Sequence, residues 1–121
     1  DTVLIHWNAS SETVRAMALS MPILKRARRV SFIAVEGSIV QGPSVKEALG
    51  YLEAHGIQAT EKTVAGTSQK AGELILAEAK QIGADLLIKG AYTQSRLRQM
   101  IFGGATSHIL SAATLPVFLS H

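Results

Sequence analysis

At 121 residues, 47% hydrophobic but only 5% aromatic, the chain reads as one domain with an aliphatic core, not as a disordered segment. The absence of cysteine excludes a disulfide framework, a thiolate metal site and a cysteine nucleophile, and fits a reducing, cytoplasmic setting; no apolar run approaches the roughly 20 residues of a membrane helix. The net charge of +3 is mildly basic, but no Asp or Glu follows Asp85, whereas Lys89, Arg96 and Arg98 do: a segment suited to an anion, without a carboxylate for magnesium, and lacking the interleaved aromatics of a nucleic-acid surface.

The chain opens on Asp rather than Met, as a domain excised from a longer protein would, and shows no charged-then-apolar leader pattern. Thr2 to Trp7 is β-branched and apolar on both faces except for His6, the pattern of a buried parallel strand. His6 reads there as a satisfied core residue. Asn8 to Glu12 breaks the strand, with Ser10 or Ser11 as helix cap. A helix then runs to about Ala27, its inward stripe Val14, Met17, Met21 and Leu24, with a kink expected at Pro22. The basic run Lys25 to Arg29 reads as a solvated helix end whose cations offset the dipole.

Val30 to Val35 is the second strand, followed by a glycine-containing loop to Pro43 that can cover a site. Ser44 to Ala54 is a helix stopped by Gly56. Ile57 to Val64 alternates weakly and carries Glu61 and Lys62, as an exposed edge strand does. Gly66 to Ile82 is the next helix; Glu78 is the polar exception on its apolar stripe, and Gly83 is its stop. Asp85 to Lys89 is the fourth strand, Ser107 to Ala113 the last helix and Leu115 to Leu119 the last strand. Five strands alternating with helices predict a parallel α/β sheet covered on both faces, and right-handed crossovers favour the doubly wound order 3-2-1-4-5. In that order the ends of strands one and four meet at the switch point, so Asn8 and Gly90 share one crevice.

Gly90 to Thr106, GAYTQSRLRQMIFGGAT, is the stretch that carries chemistry. A glycine closes the strand, a Gly103-Gly104 pair opens the helix, and Ser95, Arg96 and Arg98 lie between. Bare backbone ahead of the free N–H groups of a helix start is how a chain cups a phosphate. The intervening twelve residues lack turn chemistry at their centre, and a gap of that length in a compact domain is often functional. Asn8 can pair with an adenine edge or a ribose hydroxyl, or serve its own turn. The four histidines lack metal-ligand spacing, and no phosphate-loop, nucleophile-elbow or zinc-protease motif occurs.

On these residues the whole chain resembles a universal stress protein domain. Val3 to Glu12 resembles that family's first strand and turn, Ala113 to Leu119 its last strand, and Gly90 to Thr106 its signature: glycine, two residues, glycine, nine residues, glycine, then Ser or Thr. The resemblance implies a flavodoxin-like five-stranded fold, a site for ATP or AMP, and dimers joined through the final strand, 115–119. It also implies a second copy within a tandem chain, whose partner is then its own first half. Asn8 stands where nucleotide binders carry Asp, and Val35 is placed against the adenine. Gly90 lets backbone approach ribose and phosphate. Thr93 replaces the second glycine, Gly103 matches, and Gly104 replaces Ser or Thr while keeping its N–H. Ala105 and Thr106 follow in register, with Arg96 and Arg98 able to compensate for the departures. Three functions follow: a stress-associated nucleotide-binding regulator with at most slow ATP turnover and magnesium left open, a nucleotide-free dimerisation module, and a hydrolase or transferase acting on phosphorylated substrates.

Overall fold

The computed structural model describes residues 1–90 and 105–120, apart from the side chains of 105–107. In chain order the elements are β1 Thr2–His6, α1 Ser11–Leu19, α2 Met21–Arg26, β2 Arg29–Gly37, α3 Val45–Ala54, β3 Ala59–Thr67, α4 Ala71–Ile82, β4 Leu86–Gly90, α5 Ala105–Ala112 and β5 Val117–Ser120. The strands form one parallel sheet in the order β3-β2-β1-β4-β5, as the alternation of strands and helices predicts. β1 pairs with β2 on one side (Ile5 opposite Phe32) and with β4 on the other (Ile5 opposite Ile88).

Because side chains alternate along a strand, the sheet builds two cores. On one face Val3, Ile5 and Trp7 of the β1 segment meet Phe32 and Ile88 beneath Ala16, Met17, Leu24, Ala48 and Leu52. On the other, Leu4, Ile33, Val35 and Leu87 pack under Ala71, Ile75 and Ala79 of α4 and Ile109 of α5. Trp7 is anchored at both ends. Its ring stands edge-on to Phe32 with centroids 5.9 Å apart, and its Nε1 donates to the Pro43 carbonyl at 3.0 Å.

Several boundaries differ from the sequence reading. The first predicted helix is two helices, broken at Ser20 and not merely kinked. Pro22 occupies the first turn of α2, where its missing N–H is harmless, and Ile23 and Leu24 restart the ladder by donating to the Ser20 carbonyl at 2.9 and 3.0 Å. Val14 is 36% exposed instead of inward, because Thr13, hydrogen-bonded in the preceding turn, takes the buried position of α1. β3 starts later than predicted and runs through Gly66, so α4 opens at Ala71. The reason is a close approach: a Cβ on Gly37 of β2 would lie 2.4 Å from the Gly66 carbonyl oxygen.

Other local signals act as read. Ser44 and Glu47 form a reciprocal capping box at the start of α3. Gly83 ends α4 at φ 67°, and Ala84 N donates back to Ala79 O at 2.8 Å. The outer flank of β3 is polar, and its Lys62 pairs with Glu78 of α4 at 3.0 Å, which accounts for the carboxylate on that helix's apolar stripe. Lys25, Arg26, Arg28 and Arg29 are exposed at the end of α2 and the start of β2. Among the described residues no helix is long and apolar enough to cross a membrane.

Candidate functional site

The parallel order delivers the carboxyl ends of β2, β1 and β4 side by side, and with them Val35, Asn8 and Gly90. Ala105 and Thr106 open α5, whose first turn starts two residues before the predicted Ser107. Thr93, Arg96, Gly103 and Gly104 lie outside the described residues, as does Arg98.

Asn8 is 2% exposed, and its side chain organises the β1–α1 turn. Its Oδ1 accepts from Ser10 N at 3.1 Å, from Ser10 Oγ at 2.7 Å and from Thr13 Oγ1 at 2.6 Å. Ser10 in turn caps α1 by accepting from Thr13 N at 3.2 Å. Between them Ala9 sits at φ 67°, a left-handed conformation that an L-residue with a Cβ holds only under local constraint. That constraint comes partly from the loop after β2. Val40 N donates to Asn8 O at 2.9 Å, and a Cβ on Gly42 would fall 2.0 Å from the Ala9 carbonyl oxygen. The loop predicted to cover a site is thus laced to the end of β1.

Val35 has no exposed surface and packs in the α4-side core, while its carbonyl accepts from both Ser38 N and Ser38 Oγ at 2.9 Å. Gly90 serves a close approach in this conformation: a Cβ there would stand 2.6 Å from Thr13 N and 2.7 Å from the Glu12 carbonyl carbon. Absence of a side chain at Gly90 lets the first turn of α1 rest on the tip of β4.

Two polar residues at the same strand ends carry more than the sequence reading assigned them. Lys89, counted there only as one cation of a basic segment, is 2% exposed; its Nζ donates to the Gly90 carbonyl at 2.9 Å, and burial lowers its pKa to about 8. His6 is buried as expected of a core residue but is not fully satisfied. Its Nε2 lies 3.4 Å from Ser38 Oγ, and its Nδ1 has no partner among the described residues. Burial first, and the neighbouring Lys89 charge second, hold the His6 pKa well below the usual imidazole value. The signal for both was legible: a lysine and a histidine within otherwise apolar central strands.

A shallow groove of about 630 Å³ lies elsewhere, between Val14, Arg15 and Ala18 of α1 and the segment Gln41–Pro43. It is on the outer side of α1, on the opposite side of the sheet from His6 and Lys89. Among the described residues no cluster of three or more His, Asp or Glu is arranged to hold a metal ion.

The family model described as the universal stress protein family matches residues 9–121. The chain belongs to that family. No curated protein matches it in sequence. Solved structures share its fold. One is a universal stress protein in complex with cAMP, at 17% identity and TM-score 0.76, covering 100% of this chain and 97% of that one. A universal stress protein from Archaeoglobus fulgidus DSM 4304 is 24% identical at TM-score 0.72, covering 99% of this chain but 43% of its own. Universal stress protein UspA from Lactobacillus plantarum is 17% identical at TM-score 0.67, covering 99% of this chain and 97% of its own. At these identities the likeness is one of fold, which the universal stress protein domain described here shares with all three.

Proposed function

We propose that this universal stress protein domain is a stress-associated regulator that binds an adenine nucleotide, ATP or AMP, across the carboxyl ends of β1, β2 and β4. The observation that carries the reading is the family match over 9–121 together with the meeting of Asn8, Val35 and Gly90 at adjacent strand ends, where doubly wound sheets take their ligands. A neighbour of the same fold in complex with cAMP supports it. The phosphates would lie on the Gly90–Thr106 segment, with Gly103, Gly104, Ala105 and Thr106 offering backbone N–H groups, and Thr93 and Arg96 beside them. No side chain is assigned to catalysis, and the expected output is a change in binding state, not turnover.

Equilibrium dialysis with labelled ATP and AMP tests this directly. Retention at or below millimolar nucleotide, lost in Gly103→Val, is the expected result. No retention by the wild-type protein would overturn the reading.

A second reading, a nucleotide-free pairing module, is favoured by the structural roles that Asn8 and Gly90 already hold: one caps a turn and the other seats α1. β5 is the last strand of the sheet, and its apolar Val117–Leu119 run suits pairing with a second copy or with a tandem partner. Sedimentation at micromolar concentration would show a dimer; a monomer alone would contradict homodimerisation.

A further inference from the structure

Strand alternation puts His6 and Lys89 on one face. Leu4 and Leu87 are register partners in the core beneath α4 and α5, and two residues further along each strand stand His6 and Lys89. Both are at the carboxyl end of the sheet, and Lys89 Nζ reaches the carbonyl of Gly90, the last residue of β4. An ammonium has three protons to donate, and among the described residues only that carbonyl accepts one.

No carboxylate in the covering elements answers this charge. β1, α5 and β5 contain none. On α4, Glu78 is paired with Lys62 at 3.0 Å, and Glu73 is exposed and 3.9 Å from Lys70. A methionine or leucine would fill the Lys89 position without desolvating a charge, so a buried cation here works against the fold's own stability. Beside it, His6 Nδ1 is a buried ring nitrogen with no partner among the described residues. A basic group with no counterion among the described residues, next to a polar atom with no partner among them, both at the carboxyl edge where doubly wound sheets take ligands, suits a negatively charged acceptor.

We infer that Lys89, with His6 beside it, is an anion-anchoring site at the ends of β4 and β1 that takes a phosphoryl group of the bound nucleotide. This rests on the nucleotide reading above and adds to it a side-chain cation, separate from the Gly90–Thr106 backbone, that selects phosphorylated ligands over bare nucleosides. Lys89 makes a charge-assisted bond to a phosphoryl oxygen, and His6 donates through Nδ1 once the Ser38 hydroxyl turns from the Val35 carbonyl to donate to Nε2.

Isothermal titration of the whole chain with ATP, AMP, adenosine and sodium pyrophosphate, for wild type and Lys89→Met, tests it. The expected result is at least tenfold weaker binding of ATP and AMP by the variant, with adenosine changed less than twofold. Equal ATP affinity in both proteins overturns the site and leaves the nucleotide reading intact, as does an equal loss for adenosine. Lys89-dependent binding of pyrophosphate without any binding of ATP or adenosine supports the anion site and defeats the nucleotide reading. Failure of wild type to bind any of the four defeats both. In lysine-labelled wild-type protein, NMR should show the Lys89 Nζ resonance moving on addition of ATP; an unmoved resonance at saturation overturns the proposal even if the variant misfolds.

Discussion

Each face of the sheet carries a buried core, one including Trp7, Phe32 and Met17 and the other purely aliphatic, and the two treat polar atoms differently. On the α1–α3 face a large polar handle, the Trp7 indole N–H, is matched to the Pro43 carbonyl. On the α4–α5 face, among the described residues, a histidine nitrogen has no partner and a lysine no counter-charge, both at the carboxyl edge. A fold under selection for stability alone has no reason to keep such groups, and the contrast is what the proposed anion site at His6 and Lys89 would account for.

Truncation experiments can break that comparison. The largest expected effect belongs to the satisfied face. Trp7→Ala removes a fully packed ring and a tertiary hydrogen bond, and should lower stability by about 3–5 kcal/mol, read by urea denaturation. A loss below about 1 kcal/mol would show that this face is not the anchor.

The opposite sign is expected across the sheet. Lys89→Met should raise stability by about 2–3 kcal/mol near neutral pH, since it removes a desolvated charge. The pH dependence has a defined sign. In the folded protein the Lys89 pKa is lowered to about 8 from 10.5, so between those values the unfolded chain holds more protons and wild-type stability should rise with pH. Below about 8 the penalty is present in full. His6, held well below 6.5 in the folded state, adds a loss of stability as pH falls through that value. Thermal melts from about pH 7.5 to 10, above the range in which His6 titrates, should show the alkaline rise in wild type and its loss in Lys89→Met; parallel profiles would mean that Lys89 is not buried as a cation.

Two smaller changes sharpen the picture at the strand ends. Gly90→Ala places a methyl against the backbone of Glu12 and Thr13 and should destabilise by about 1–3 kcal/mol, with α1 losing protection first in hydrogen exchange. Uniform, unchanged protection would remove Gly90's seating role. Asn8→Ala deletes the acceptor shared by Ser10 and Thr13, at a cost of about 1–2 kcal/mol, whereas Asn8→Asp keeps the acceptor and should restore most of it. If both variants match wild type in denaturant midpoint, the turn does not depend on that side chain.

The architecture was legible because it rests on local pattern plus chirality. Short buried apolar runs alternating with amphipathic ones admit a parallel sheet, right-handed crossovers narrow its order, and Ser44 and Gly83 mark helix ends through their own backbone chemistry. The site was legible only in part. Asn8, Val35 and Gly90 could be placed at one edge, but their contacts could not, because the turn hydrogen bonds and the approach of α1 depend on where other segments lie. The same holds for Val14, which lost its inward position to Thr13 once the Asn8 network was in place.

What the chain's own letters determined is therefore the order of strands, the helix caps and the family signature, all matters of short-range pattern and handedness. What tertiary structure alone decided is how the sealed polar groups are partnered: His6 and Lys89 stand out in the strand pattern, but only the closing of α4 and α5 over their face leaves them short of hydrogen-bond partners among the described residues. Burial is a property of the assembled sheet, and desolvation, which sets the energies of those two groups, exists only after assembly.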